Sequence, residues 1–189
     1  MMAVILALLV QNSAAVISAG QLSLERLKAR LPVEGVSPKT SLAGHYTSAS
    51  KELGKRVGGF LSGEDLYLFP DGTYIYCEWA DIEPVTVYDK GTWLFAYDRL
   101  VLESDPAITW DLRRESQYVA LRRSAHPKEV MLVGLQNRLP TFEREAKDDP
   151  ELMLLIVAFA LESPITPSEA VGLRKKLMVE SWRPEYFRR

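Results

Sequence analysis

Two histidines and one cysteine are the side chains here best suited to chemistry. A zinc or copper site would have to draw on His45, His126 and Cys77, which lack any recognisable ligand spacing. His45 sits beside Tyr46 in a first strand, and His126 precedes Pro127 in a turn. Cys77 lies mid-strand between Tyr76 and Glu78, the setting of a buried structural thiol rather than a reactive one. A hard cation could use Asp81, Glu83 and Asp89, although water serves an acidic loop equally well. Glu78 and Asp111 could meet across strands as an acid–base pair, or as two carboxylates facing one concave site in a hydrolase. Any β-rich chain offers such pairs. The G-x-S-x-G, H-E-x-x-H and dinucleotide glycine patterns are absent, and Gly54, Lys55, Gly58 and Gly59 do not follow phosphate-loop order. The chain therefore reads as non-catalytic, with no catalytic residue, metal ligand or cofactor expected.

What remains is aromatic. Tyr46, Tyr74, Tyr76, Trp79, Trp93 and Tyr97 fall within one β-rich region. They are either core and girdle residues of a small barrel, or the lining of an apolar pocket whose phenols orient a guest. These six are the candidate ligand-binding residues. Arg113, Arg114, Arg122 and Arg123 would either meet an anionic group at the mouth or deter edge-to-edge strand pairing.

The elements that must position these residues centre on residues 66–103. Pro70-Asp71-Gly72 has the chemistry of a hairpin turn: proline pre-sets φ, aspartate bonds nearby backbone, and glycine accepts positive φ. Asp89-Lys90-Gly91 repeats that chemistry and predicts a second reversal; Tyr97-Asp98 predicts a third. Ile75, Cys77 and Trp79 share one face of their strand, with Tyr74, Tyr76 and Glu78 on the other. Both faces are partly apolar, which fits a curled or covered sheet. Further strands are expected at 42–47, 65–69, 108–112, 118–121 and 130–133. The count of about eight suits an up-and-down meander or a small closed barrel.

The run Gly44-His45-Tyr46, then Leu66 to Tyr74 with its Pro-Asp-Gly-Thr-Tyr, then Gly91-Thr92-Trp93 and Leu100-Val101-Leu102, resembles the lipocalin-like β-meander domains of exported bacterial proteins. The resemblance spans residues 42–133 and rests on turn and core positions. It implies the fold and, more distantly, the binding of a small apolar ligand, and it transfers no site residue.

Around this meander, residues 1–19 read as a signal peptide: an apolar run from Ala3 to Val10, then small residues up to Ala19, with the first charged side chain at Glu25. The expected location is periplasmic or secreted, without a transmembrane anchor once the leader is removed. Residues 20–41 read as a short amphipathic helix, with Leu22, Leu24, Leu27 and Leu31, followed by a linker. Residues 48–63 have helical spacing and would cap one end of the meander. From 136 onward a helical appendage is expected. Asp149-Pro150 starts a helix through the ten apolar residues Leu152 to Leu161, and Thr166 to Glu169 forms a capping box for a last helix. Arg174, Lys175 and Lys176 are placed on its solvated side.

The fold class is therefore α+β and β-dominated, with a C-terminal helical pair. A formal charge of −2 excludes a polyanion-binding surface as the leading idea, so no nucleic acid is expected. The role expected is an exported lipocalin-like protein binding a small apolar ligand. The alternative is an envelope interaction or scaffold module that meets a protein partner, or itself, through Leu152–Leu161. The hydrolase is the weaker alternative.

Overall fold

The computed structural model describes residues 21–180 apart from 38, 97–98 and 108–114. The expected leader, the predicted reversal at Tyr97-Asp98, the predicted strand at Ile108–Leu112 and the residues after 180 lie outside the described residues.

In chain order the elements are α1 (21–28), β1 (Val33–Gly35), β2 (Gly44–Thr47), α2 (Lys51–Val57), β3 (Ser62–Leu68), β4 (Thr73–Ala80), β5 (Glu83–Ala96), β6 (Arg99–Ser104), β7 (Gln117–Arg123), β8 (His126–Gly134), α3 (Arg138–Glu145), α4 (Pro150–Val157), β9 (Ala158–Pro164) and α5 (Pro167–Glu180). Strands β2 to β8 pair antiparallel in sequence order, and β9 pairs with both β8 and β2. The result is a closed eight-stranded antiparallel barrel, with β1 added along the far half of β7. Closure leaves the barrel strands without a continuous open edge to pair with another chain.

The turn at Pro70-Asp71-Gly72 forms as the sequence predicts. Gly72 has φ +80°, its N–H donates to Phe69 O at 3.1 Å, and Asp71 Oδ1 accepts the Thr73 N–H at 3.1 Å. The predicted reversal at Asp89-Lys90-Gly91 does not form. β5 runs straight through these residues, and Gly91 pairs with Tyr74 on one side and Ser104 on the other. Its glycine answers a different need: a Cβ there would lie 1.9 Å from Glu103 O. The true reversal between β4 and β5 is at Asp81 and Ile82, flanked by the Ala80–Glu83 pair, with neither glycine nor proline inside it.

The apolar run from Leu152 also divides differently. Its helix ends at Val157, and Ala158 to Pro164 continue as the strand that closes the barrel. An uninterrupted apolar run has no period to separate helix from strand, and both halves are buried. Leu154, Leu155 and Val157 pack outside the barrel, Phe159 packs inside, and only Ile156 is exposed, at 43%. Little of this run is left to meet a partner. The expected linker at 33–41 is likewise part of the body: Val33 and Val36 are buried, and the Val36 N–H donates to Ala120 O.

Strand alternation sorts the core into three layers. Inward residues, including Tyr46, Leu66, Leu68, Tyr74, Tyr76, Leu100, Leu102, Tyr118, Leu132 and Phe159, fill the barrel. Outward residues of β7 and β8 pack with α1, α3 and α4, where Leu27 is wholly buried. Outward residues of β4 and β5, namely Ile75, Cys77 and Val87, pack with Phe69 and α5. Among the described residues no helix is long and apolar enough to cross a membrane.

Candidate functional site

The five described aromatic candidates do not converge on one cavity. Tyr46 is 1% exposed, and its hydroxyl donates to Leu42 O at 3.0 Å. Tyr74, also 1% exposed, donates to Asp89 Oδ2 at 2.6 Å. Ser104 Oγ donates to the same carboxylate, and the Lys90 N–H bonds Asp89 Oδ1 at 2.9 Å. Tyr76 donates to Glu78 Oε1 at 3.0 Å. Burial raises the pKa of Tyr46 and Tyr76 well above the usual tyrosine range, and the charges of Glu64 and Glu78 push Tyr76 further the same way. Trp93 is half-buried beside this core, with Nε1 donating to Phe69 O at 3.0 Å. Trp79 faces outward, as its alternation with Tyr74 and Tyr76 requires, and lies on Gly63, where a Cβ would come within 2.5 Å of its ring. Tyr97 lies outside the described residues.

The barrel interior is therefore packed around these phenols. Leu66, Leu68, Leu100 and Leu132 are wholly buried, so no water-sized void touches them, and Tyr46, Tyr74 and Phe159 are 1% exposed. The tyrosine hydroxyls satisfy protein acceptors rather than facing a guest. Tyr74→Phe is expected to destabilise the fold by about 1–3 kcal/mol in chemical denaturation, because a hydrogen bond to a buried carboxylate is lost. It should leave binding of any groove ligand unchanged.

The ionisable groups are also spread out. Glu64 and Glu78 are cross-strand partners facing inward, as a carboxylate pair would require. Glu64, however, is ion-paired to Arg138, whose guanidinium also reaches Val157 O at 3.1 Å and stacks 4.4 Å from the Phe159 ring centre. Glu78 lines a small cleft of about 200 Å³ with Trp79 and Tyr88. His45 stacks on Tyr67 at 4.4 Å, and its Nε2 lies 3.2 Å from Asp65 Oδ1 without an aligned hydrogen bond. His126 is exposed at the start of β8, and Cys77 is wholly buried, its thiol acidity suppressed first by that burial and then by the nearby Asp65 charge. Asp81 and Glu83 sit at the β4–β5 turn, while Asp89 is buried against Tyr74. Among the described residues no three His, Cys, Asp or Glu side chains gather as metal ligands would. Arg123 is held by Glu52 and Glu129, and Arg122 Nε is buried without a partner; Arg113 and Arg114 lie outside the described residues.

Among the described residues, the concavities with room for a guest are on the outside of the barrel. Between α5 and the outer face of β4, β5 and β6 runs a groove of about 530 Å³. Thr73, Ile75, Lys90 and Thr92 project into it from the sheet, and Arg174 and Met178 form its helical wall. Strand pairing places these residues side by side, since Thr73 is opposite Thr92 and Ile75 opposite Lys90. Backbone at Gly91 and side chains of Glu103 and Asp105 complete it. Lys90 Nζ is 3.7 Å from Asp105 Oδ2, and Arg174 Nη2 donates to Asp71 Oδ2 at 2.8 Å and Thr73 Oγ1 at 2.9 Å. Its two cations are thus balanced by neighbouring carboxylates, which leaves Met178 and Pro106 as apolar surface at the edge of the nearly buried Ile75. A second, slightly larger recess, about 600 Å³, lies beside the β7–β8 turn, and Glu52, His126, Lys128, Glu129 and Glu162 give it a more heavily charged lining around Leu161 and Pro164.

Sequence reasoning missed this groove because its residues are the outward ones. Arg174, expected in solvent, instead lies 4.5 Å from the Phe69 ring centre and ties α5 to the β3–β4 turn. The available signal was the apolar outward set Ile75, Cys77 and Val87, which demands a cover. No family model matches this chain, and no curated protein or solved structure matches it either.

Proposed function

We propose that the protein is a non-catalytic binding protein that holds a small ligand with an apolar body in the groove between α5 and the outer face of β4–β6. The observation that carries this reading is the groove itself. Its volume of about 530 Å³ falls within the ~300–1,000 Å³ typical of ligand sites, whereas the interior is filled by its own side chains. Apolar surface with a few polar groups around it is the usual composition of such sites, the polar groups setting orientation. The lipocalin-like resemblance supports the barrel as scaffold, and this reading moves the guest from inside the barrel to its flank. Export belongs to the same proposal, and N-terminal sequencing of the protein recovered from its host's periplasm or medium tests it.

The direct test is titration with 8-anilinonaphthalene-1-sulfonate, followed by its displacement with apolar compounds. Thr92→Trp puts a large ring into the groove from an exposed strand position. It should weaken probe binding by about tenfold or more, with the Tm within about 2 °C of wild type. Binding equal to wild type in Thr92→Trp would remove the groove as the site.

A further inference from the structure

The wall of this groove, α5, is held to the barrel at its root and at mid-length. α5 begins three residues after β9, and at its start Ile165 and Ala170 are buried while Thr166 N–H bonds Glu169 Oε2 at 2.9 Å. Along its length Leu173, Leu177 and Met178 are only half-buried against the sheet. Val171 and Val179 remain 73% and 70% exposed, so the helix lacks a single apolar side committed to the barrel. Midway along it Arg174 ties the helix to the barrel: it bonds Asp71 and Thr73 and covers Phe69. Beneath the helix lie Phe69, Ile75, Cys77 and Val87, from wholly buried to 3% exposed. A helix with a fixed root, partial burial and a clasp at mid-length is the kind of unit that opens locally before the fold unfolds.

We propose that α5 is a clasped lid: it pivots at Ile165–Thr166, Arg174 holds it shut on the β3–β4 turn, and lifting it joins the groove to the apolar floor of Phe69, Ile75, Cys77 and Val87. A guest longer than the closed groove enters by this opening and is held when the clasp re-forms. The gating role rests on the groove being the ligand site; the lid and its clasp do not.

Cys77 makes the motion measurable, because it is the only cysteine in the chain and is wholly buried in the cluster that α5 and Tyr67 cover together. Its thiol reacts with 5,5′-dithiobis(2-nitrobenzoate) only when uncovered, exchanging into a mixed disulfide and releasing one coloured thionitrobenzoate. Labelling of the intact protein should be slow, and Arg174→Ala should raise the rate at least about tenfold. Leu27→Ala, in the α1 layer on another side of the barrel, serves as the comparison for global destabilisation. At matched distance from the unfolding midpoint, Arg174→Ala should still label about tenfold faster than Leu27→Ala. Equal rates in the two variants, or no acceleration in Arg174→Ala, overturn the lid. Saturating 8-anilinonaphthalene-1-sulfonate should slow labelling of the wild type. If it does not while Arg174→Ala still labels fast, the groove reading fails and the clasped lid stands.

Discussion

Gly91→Ala should lower the Tm by about 10 °C or more, or abolish soluble expression, the largest effect expected of any single methyl added to this chain. The added Cβ would lie 1.9 Å from Glu103 O and 2.9 Å from Asp105 N, and both obstacles are backbone. No rotamer change relieves such a contact, so β5 and β6 must move apart. That breaks the Gly91–Ser104 pairing and the bond from Asp105 N–H to Lys90 O at 2.8 Å, next to the buried Tyr74–Asp89–Ser104 network. A loss of at least about 3 kcal/mol follows, of the size reserved for backbone and core disruption. Gly63→Ala is the informative contrast. Its Cβ would meet the Trp79 ring at 2.5 Å, but that ring is a half-buried side chain that can turn away. Thermal unfolding followed by circular dichroism separates the two, and a Gly91→Ala midpoint within about 2 °C of wild type would refute the close-approach account.

The second large effect is expected at Glu115. This side chain, 4% exposed, lies in the connection between β6 and β7, and its carboxylate accepts the N–H groups of Gln136, Asn137 and Arg138 at 2.8, 2.7 and 2.8 Å. Asn137 and Arg138 are among the donors that the first turn of α3 leaves unpaired, and the Asn137 side chain makes no capping bond. A negative group there also meets the favourable end of the helix dipole. Glu115→Ala removes all three charge-assisted bonds at once and should cost about 3–5 kcal/mol in urea denaturation. Glu115→Gln, which keeps one acceptor oxygen, should fall between. Gly134 offers an independent check, since a Cβ there would sit 2.3 Å from Glu115 Cδ. Gly134→Ala should displace the carboxylate and reproduce much of the loss, and the double variant should be clearly less destabilised than the sum. Additive losses would mean that the two residues act separately.

Much of the fold was legible because local chemistry and tertiary structure agree there. Pro70-Asp71-Gly72 is a turn in any context, Asp149-Pro150 and Thr166 to Glu169 start helices with their own side chains, and the two faces of β4 alternate as written. The failures share a cause, which is that the deciding contact is distant in sequence. Asp89-Lys90-Gly91 looks like a turn, but Asp89 is claimed by Tyr74 and Ser104 and Gly91 by the backbone of β6. Residues 158–161 look like the rest of a helix until β2 and β8 are present to pair with them. Glu115 caps a helix more than twenty residues downstream, which no local capping pattern reveals.

The same distinction governs the site. Aromatic richness was visible, and it marked the core: Tyr46, Tyr74 and Tyr76 turn their hydroxyls to Leu42, Asp89 and Glu78. The groove was not visible, because it exists only where α5 crosses the outward residues of β4 and β5. Its wall is fixed by Arg174, a residue that helical periodicity assigns to solvent and that the β3–β4 turn recruits instead.

The central claim is that a guest binds on the flank of the barrel rather than inside it. Methyl NMR of isoleucine-, leucine- and methionine-labelled protein, titrated with 8-anilinonaphthalene-1-sulfonate, tests this most directly. The account predicts saturable shifts at Ile75 and Met178, with Leu66, Leu68 and Leu132 unmoved. Shifts centred on those three interior leucines, with Ile75 and Met178 unchanged, would contradict it.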